Sequence, residues 1–213
     1  MYIHGILDRT TVNGPGARMA IWTAGCTLKC PGCWNPDTHQ HGSGTKWSTM
    51  DLAQHILCYA DGLEGITFSG GEPLQQIQDL LAVVDYIRFR RPHLTIGLYT
   101  GYTRKELEAG RYECFVNCIV GSTDPADCHM LPGYKSWWET LSSKIDFAVM
   151  GRFNQDQVSK NLPLRGSANQ ELVLFSKRYT EADFGPQMVE ITIAPGGKNA
   201  VLTGFPIGMN TTL

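Results

Sequence analysis

Apolar runs that suit strands alternate with amphipathic runs that suit helices through most of residues 17–150. The strand-like runs are residues 17–23, 66–68, 94–99 and 145–150. Neighbouring parallel strands need long crossover connections, which are usually helices, so this alternation predicts an α/β fold with mostly parallel strands. We expect the sheet either to stay open or to curl into a partial (β/α) barrel. In both architectures, functional residues follow the carboxyl ends of the strands.

Local capping signals predict where the helices begin and end. Ser48 precedes an amphipathic run and has Asp51 three residues later, which is typical of a helix N-terminus. Thr103 and Glu106 form a capping-box pattern before a short helix. The longer helix between these two cannot continue past Pro92, because proline lacks the N–H group that a helix interior needs.

The last third of the chain follows a different pattern. Strand-like runs occur at residues 172–175, 189–194 and 200–202, and Pro195-Gly196-Gly197 separates the last two. This spacing predicts an antiparallel C-terminal hairpin. Residues 111–144 show no clear pattern, and we interpret them as an insertion of uncertain structure.

The length and charge of the chain limit its class. The 213 residues suit one domain, which we expect to span residues 1–213 and to include the insertion. A net charge of -2 predicts neither a nucleic-acid partner nor an anionic membrane surface. No apolar run is long enough to cross a bilayer, and the first residues lack the pattern of a secretory signal. We therefore expect a cytoplasmic protein.

Three of the seven cysteines lie within eight residues. Cys26, Cys30 and Cys33 form a C-x3-C-x2-C array, and thiolates this close can converge on one centre. The array could hold zinc, with His39 or His41 as a fourth ligand, or it could hold an iron–sulfur cube with one iron left open. Unliganded core cysteines are the third possibility.

A Gly-Gly-Glu-Pro sequence follows the second predicted strand. Gly70 and Gly71 allow a ligand to approach the backbone closely, and Glu72 can pair with an ammonium group. Pro73 suits the first turn of the following helix. The same residues could also form a plain turn.

Together, the cysteine array and the Gly-Gly-Glu-Pro element resemble the radical S-adenosylmethionine superfamily. Further motifs are similar to the small activating enzymes of glycyl radical enzymes, the anaerobic ribonucleotide reductase activases among them. These motifs are Asn13-Gly14-Pro15-Gly16-Ala17-Arg18, the cluster loop through Asn35, Tyr99-Thr100-Gly101-Tyr102 and Gly166-Ser167-Ala168-Asn169-Gln170. The chain departs from that family at Asn13, where an aspartate is usual, and in the longer segment 111–144.

The resemblance implies a role for each matching residue. Cys26, Cys30 and Cys33 would ligate a 4Fe-4S cluster that binds S-adenosyl-L-methionine. Glu72 would hold the methionine ammonium group, and Gly70 and Gly71 would make room for it. The remaining candidates for cofactor binding are Thr100 and Gly101 on the nucleoside side, Trp34 as a shield of the cluster or the adenine, and Arg152 at the methionine carboxylate. Trp34 could instead be an ordinary packed aromatic residue, and Arg152 an ordinary surface residue.

The resemblance also implies a reaction and partners. A reduced cluster cleaves S-adenosylmethionine to a 5′-deoxyadenosyl radical, which removes a hydrogen atom from a glycyl radical enzyme. An external one-electron donor such as a flavodoxin or a ferredoxin would reduce the cluster. Two alternatives stay open: a radical enzyme that acts on a small molecule or peptide, and a non-enzymatic metal-binding or electron-transfer module. Glu72 disfavours the non-enzymatic module, because a protein that only carries a cluster does not need to bind methionine.

The residues outside these motifs receive simpler interpretations. Cys114, Cys118 and Cys128 could bind an auxiliary cluster, but at helical spacing they suit one packed face better. Cys58 is expected to be a partly buried structural thiol. Asn169 and Gln170 either supply polar contacts near the site or stabilise a turn.

Overall fold

The computed structural model describes residues 1–117, 128–193 and 200–205. Within them, seven strands form a central sheet in the order β3-β1-β2-β4-β5-β8-β9, and β6-β7 and β10-β11 form two separate hairpins. The strands are β1 (Tyr2–Thr10), β2 (Arg18–Thr23), β3 (Thr45–Lys46), β4 (Gly65–Gly70), β5 (Thr95–Thr100), β6 (Glu113–Asn117), β7 (Cys128–Pro132), β8 (Phe147–Met150), β9 (Glu171–Leu174), β10 (Val189–Ile193) and β11 (Ala200–Gly204).

The four strands β2, β4, β5 and β8 are parallel to one another, as the alternating sequence pattern predicts. Antiparallel neighbours flank them, with β1 pairing to β2 on one side and β9 pairing to β8 on the other. The mixed α/β class and the largely parallel sheet are therefore confirmed. Curling of this sheet into a partial barrel stays a prediction.

Two of the four described α-helices begin at the capping residues that the sequence predicts, Ser48 and Thr103. The four helices are α1 (Thr49–Tyr59), α2 (Ile77–Arg90), α3 (Arg104–Glu108) and α4 (Lys135–Ser142), and a 3-10 helix (Pro73–Gln76) leads into α2. The Ser48 side chain accepts a hydrogen bond from the Asp51 N–H at 3.0 Å. The Thr103 and Glu106 side chains form the complete capping box.

The two faces of the sheet carry different side chains, because residues alternate along each strand. One face packs against α1 and α2 in the main apolar core. Its strand residues include Met19, Ile21, Ile66, Phe68, Ile96 and Leu98. The opposite face carries Phe147 and Val149, which pack with Tyr179 and Phe184 from the C-terminal part of the chain.

A buried arginine lies on this second face, at the amino-terminal ends of three parallel strands. The Arg18 Nε donates to Thr67 Oγ1 at 2.8 Å, and Nη1 donates to Thr95 Oγ1 at 2.8 Å. Nη2 donates to the Ile66 carbonyl at 2.9 Å. The Arg18 side chain is completely buried. Because these partners lie on β4 and β5, one guanidinium group links β2 to both strands.

The C-terminal hairpin is confirmed as antiparallel. It attaches to the segment after β1, where the Thr11 N–H donates to Glu190 Oε2 at 2.9 Å and Thr203 Oγ1 donates to Asn13 Oδ1 at 3.0 Å. The predicted Pro195-Gly196-Gly197 turn lies outside the described residues.

The structure corrects two expectations about cysteines outside the triad. Cys114 lies on β6, so the helical interpretation of its spacing to Cys118 is wrong. The strand forms because β6 pairs with β7, a contact between residues distant in sequence. Cys118 lies outside the described residues, and Cys128 is described only by its place on β7. Cys58 is exposed rather than partly buried, because it lies on the solvent-facing side of α1.

No helix in the described part of the chain is both long enough and apolar enough to cross a membrane.

The position of Arg18 predicts a large effect on stability. Replacing it by alanine leaves buried oxygen atoms on β4 and β5 without a donor, so Arg18→Ala should lower the free energy of unfolding by at least about 3 kcal/mol. Arg9, an exposed arginine that donates to the Gly62 carbonyl at 3.3 Å, provides the control. Arg9→Ala should change stability by less than about 0.5 kcal/mol. Denaturant unfolding of the two variants tests this difference, and equal effects would contradict it.

Candidate functional site

A cleft of ≈ 870 Å³ opens at the carboxyl ends of the parallel strands, where this fold class is expected to place its site. Residues at the ends of β4, β5 and β8 line it, together with Cys33, Trp34 and part of β1. The C-terminal hairpin contributes a further side through residues 201–204. This volume suits a ligand of the size of a nucleoside derivative.

The cysteine loop begins directly after β2 and is held by backbone hydrogen bonds. The Gly25 N–H donates to the Thr38 carbonyl at 2.7 Å, and the Cys26 N–H donates to the His39 carbonyl at 2.9 Å. Farther along, the Cys33 N–H donates to the Cys30 carbonyl at 3.1 Å. These bonds bring the loop back on itself, with Cys33 in the lining of the cleft, Cys26 buried and Cys30 partly exposed.

The chemistry of this loop fits an iron–sulfur cluster. Burial, with a smaller contribution from the nearby Glu72 carboxyl group, raises the pKa of the Cys26 thiol to about 11. Burial also raises the pKa of the Cys33 thiol. A bound metal favours the thiolate forms, because its positive charge compensates for the lost hydration. The soft sulfur donors are those that iron–sulfur clusters use.

The placement of the side chains does not separate the zinc interpretation from the iron–sulfur interpretation. Among residues 1–117, 128–193 and 200–205, no three His, Cys, Asp or Glu side chains are placed to hold one metal ion, and this includes Cys26, Cys30 and Cys33. The His41 ring stacks on Phe115, with ring centroids 3.6 Å apart, and meets the edge of Tyr2. The His41 ring is thus packed against aromatic side chains.

Gly70 and Gly71 line the cleft at the end of β4. A Cβ atom on Gly70 would lie 2.5 Å from the Thr23 nitrogen, and one on Gly71 would lie 2.4 Å from the Gly25 oxygen. Glycine is thus required at both positions by the close approach of β2 and the cysteine loop. The space next to the two glycines is therefore occupied by backbone atoms of β2 and the cysteine loop on one side, and the cleft lies on the other.

Glu72 is completely buried behind this cleft wall. Its Oε1 accepts hydrogen bonds from the Leu74 N–H at 3.0 Å and from Thr100 Oγ1 at 2.9 Å, and its Oε2 accepts one from the Gly101 N–H at 2.7 Å. Burial raises the pKa of the Glu72 carboxyl to about 7, and these hydrogen bonds act in the opposite direction. The carboxylate therefore fixes the end of β5, where Thr100 and Gly101 line the cleft.

Trp34 and Arg152 have different surroundings. Trp34 lines the cleft and packs against Phe153, with ring centroids 5.1 Å apart. Arg152 is absent from the cleft lining in the described part of the chain. Its Nη1 lies 3.0 and 2.9 Å from the two Glu106 carboxylate oxygens, and its guanidinium group lies over the Tyr102 ring. The structure does not bring Arg152 to the cleft.

Asn169 and Gln170 stabilise the loop after β8. Asn169 Nδ2 donates to the Arg152 carbonyl at 2.8 Å, and Gln170 Nε2 donates to the Gly151 carbonyl at 2.9 Å. Gln170 also lines the cleft. Both residues therefore stabilise a turn, and Gln170 alone also supplies a polar group to the cleft.

Tyr99 is a cleft residue that the sequence analysis did not select for the site. It lies on β5 opposite Val149 of β8, and its hydroxyl oxygen is buried without a hydrogen-bond partner among the described residues. Burial raises the pKa of Tyr99, so the phenol is neutral. Buried polar groups normally have partners, which makes this phenol available to a polar group of a ligand. The alternation of side chains along β5 could have identified Tyr99, because it places Tyr99 on the same face of the sheet as Thr95.

Comparisons with known proteins agree with the chemistry of the site. A family model described as "4Fe-4S single cluster domain" matches residues 12–173. The chain is 31% identical over 176 residues to the anaerobic ribonucleoside-triphosphate reductase-activating protein of Salmonella typhi, covering 80% of this chain and 96% of that protein. Identity to the protein of the same name from Escherichia coli (strain K12) is 32% over 175 residues, with the same coverage. A pyruvate formate-lyase-activating enzyme of Listeria monocytogenes is 36% identical over 107 residues, covering 48% of this chain and 43% of that enzyme.

The cysteine positions predict which thiols bind iron. After anaerobic reconstitution, we expect four iron atoms per chain, as one 4Fe-4S cluster requires. Cys30→Ala should abolish cluster binding. The exposed Cys58→Ala variant and a triple variant of Cys114, Cys118 and Cys128 to alanine should keep the full iron content. Iron and sulfide analysis of the folded proteins tests this, and loss of half the iron in the triple variant would demonstrate a second cluster.

Proposed function

Since the chain belongs to the 4Fe-4S single cluster domain family and to the radical S-adenosylmethionine activating enzymes, we propose that it installs a radical on a glycyl radical enzyme. The observation that carries this proposal is the match over nearly the whole length of an activating protein. The cysteine loop beside a cleft of nucleoside size supports it independently. We propose one domain over residues 1–213, with an insertion at 111–144.

The proposed reaction uses the cluster as a one-electron reductant. Cys26, Cys30 and Cys33 would hold a cluster that, with one electron from an external donor such as a flavodoxin or a ferredoxin, would supply the electron that cleaves the bond from sulfur to C5′ of S-adenosylmethionine. The products would be methionine and a 5′-deoxyadenosyl radical, which would take a hydrogen atom from a glycine of the partner. The protein has to position the two reacting groups and exclude water from them.

The residues of this chain divide that work by position. Cys26, Cys30 and Cys33 would hold the cluster at one side of the cleft. Gly70 and Gly71 would present backbone to the methionine portion, because no side chain separates them from the cleft. Thr100 and Gly101 would form the wall on the nucleoside side, and the Tyr99 phenol would supply a polar contact there.

Glu72 would act on the methionine ammonium group in two ways. The carboxyl group is buried next to the glycine wall with a pKa raised to about 7, so a cation in the cleft would favour its ionised form and be attracted by it through a medium of low dielectric constant. Its hydrogen bonds to Thr100 and Gly101 also keep that wall in place. A direct ammonium contact would require the carboxylate to use its remaining acceptor capacity.

Two of the proposed contacts differ in how the structure supports them. Trp34 lines the cleft beside Phe153 and could shield the cluster or the adenine from water. Arg152 pairs with Glu106 instead, so binding of the methionine carboxylate would require that ion pair to open. Of the two, the geometry favours Trp34.

The activity on a protein partner is favoured over activity on a small molecule by the position of the insertion. The described residues of the segment 111–144 do not line this cleft, so they do not narrow it around a small substrate. Four of them, Lys135, Trp138, Glu139 and Ser142, line a separate cavity next to α3. Strand β6 of the same segment packs behind the cysteine loop, where Phe115 stacks on His41. We propose no nucleic-acid or membrane partner.

The proposed function predicts two products and a protein radical. With a reduced cluster, the protein should cleave S-adenosylmethionine to equal amounts of 5′-deoxyadenosine and methionine. When a glycyl radical enzyme from the same genome is added, electron paramagnetic resonance should detect its glycyl radical in matching amount. Cleavage without a radical on any such protein would favour a small-molecule or peptide substrate. Absence of cleavage in fully iron-loaded protein would contradict the radical chemistry itself.

The role of Glu72 predicts that iron content and cofactor affinity respond separately to mutation. Glu72→Ala should keep the iron but weaken the binding of S-adenosylmethionine by about 1.5 to 3 kcal/mol, because a charge-assisted interaction is lost. Glu72→Gln, which keeps the size of the side chain and removes its charge, should weaken binding in the same direction. Anaerobic titration measures both affinities. Unchanged affinity in the glutamine variant would restrict Glu72 to a structural role.

A further inference from the structure

The hairpin of β6 and β7, which belongs to the insertion, packs against the outer side of the cysteine loop. Phe115 of β6 stacks on His41, with ring planes 23° apart. The same ring covers the backbone next to Cys26, because a Cβ atom on Gly25 would lie 3.0 Å from Phe115 Cε2 and 2.9 Å from His41 Nδ1. Phe115 and His41 therefore close over the residue that precedes the first cysteine.

A second contact joins the same hairpin to the residue that follows Cys26. The Glu113 N–H at the start of β6 donates to the Tyr102 hydroxyl at 3.1 Å. Gln75 Nε2 donates to the same hydroxyl at 3.1 Å and to Thr27 Oγ1 at 2.6 Å. The Thr27 N–H in turn donates to Gln75 Oε1 at 3.1 Å. Gln75 is completely buried, so water cannot easily replace these bonds.

The two contacts hold the loop on both sides of Cys26. Gly25 has a φ of +109°, a conformation that favours glycine and that the surrounding contacts have to maintain. Cluster ligands need fixed positions, and the residues that orient ligands affect metal binding nearly as strongly as the ligands do. The segment 111–144, in which this chain departs from the activating-enzyme pattern, thus contacts the loop on both sides of Cys26. A cluster ligand at this position would need exact placement.

We propose that the β6-β7 hairpin is a clamp that holds the cysteine loop in the conformation that receives and retains the cluster. In this role, Phe115 and Gln75 are positioning residues: they act through Gly25 and Thr27 and do not touch the iron. The inference rests on the proposed assignment of the cluster to Cys26, Cys30 and Cys33. It does not depend on the substrate or on the partner.

The clamp predicts faster loss of iron when the aromatic contact is removed. In the reconstituted full-length protein under anaerobic conditions, Phe115→Ala should release iron to a ferrous chelator about two to ten times faster than the wild type, the change that loss of one aromatic pair gives. Phe115→Tyr keeps the ring and should restore the wild-type rate. The rate of iron release is measured without S-adenosylmethionine, so it does not depend on the cleavage activity.

Phe175→Ala is a matched control, because Phe175 is another half-buried aromatic residue and meets the edge of Trp138 at 5.7 Å. It should lower thermal stability about as much as Phe115→Ala while leaving iron release unchanged. Thr27→Val tests the second contact at an exposed residue whose replacement leaves the fold intact, and it should also accelerate release. Wild-type release rates in both Phe115→Ala and Thr27→Val, or equal acceleration in Phe175→Ala, would overturn the clamp.

A double-mutant cycle separates the stack from general destabilisation. If Phe115 acts through His41, then His41→Ala should accelerate iron release as Phe115→Ala does, and the double variant should release iron no faster than either single variant. Additive effects would show that the two residues act independently and would contradict the proposed contact. Complete loss of cleavage in a wild-type protein that retains its iron would refute the proposed function and leave this result unaffected.

Discussion

The buried Arg18 guanidinium group determines how the parallel part of the sheet is built. Its donors bind oxygen atoms on β4 and β5, and it also lies 3.3 Å from the Tyr179 hydroxyl of the C-terminal region. A charge in this position is costly unless its hydrogen bonds are satisfied, so the strand ends have to meet around it. Gly65 leaves the necessary room, because a Cβ atom there would lie 2.8 Å from Arg18 Nη2. The amino ends of the strands are thereby filled, and the carboxyl ends are left for the cleft.

Glu72 is a second buried ionisable group whose hydrogen bonds are satisfied, and it lies at the opposite end of the strands. A buried carboxylate needs donors, and the ends of β5 and of the Gly-Gly-Glu-Pro turn supply them. The Arg18 guanidinium group and the Glu72 carboxyl group thus lie at opposite ends of the strands, and burial raises the pKa of the carboxyl to about 7. A cation in the cleft would lie nearer to this carboxyl group than to the guanidinium group and would favour its ionised form. The Tyr99 phenol, which has no hydrogen-bond partner among residues 1–117, 128–193 and 200–205, lies on β5.

The features that the sequence predicted correctly depend on local chemistry. Ser48 and Thr103 cap their helices because a hydroxyl bonds to an N–H three residues away. The parallel strands are apolar because both faces of the sheet are covered. The features that it missed depend on distant partners. Strand β1 mixes polar and apolar residues beside the edge of the sheet, Arg152 is held by Glu106, and β6 exists only because it pairs with β7. Six of the residues that the motifs selected line the cleft: Cys33, Trp34, Gly70, Gly71, Thr100 and Gly101. The burial of Cys26 and Glu72 and the ion pair of Arg152 could not be derived from the motifs.

The insertion shows why a motif alone does not complete a metal site. The cysteine array is the proposed set of donors, and backbone hydrogen bonds to Thr38 and His39 set the path of its loop. Those bonds hold the inner side of the loop only. Its outer side would otherwise meet water, and a chain of this size can cover it only with a segment from elsewhere in the sequence. The β6-β7 hairpin is that segment, since Phe115 covers Gly25 and the Glu113 backbone binds the Tyr102–Gln75 pair. This departure from the family pattern therefore lies against the cysteine loop and, among the described residues, outside the lining of the cleft.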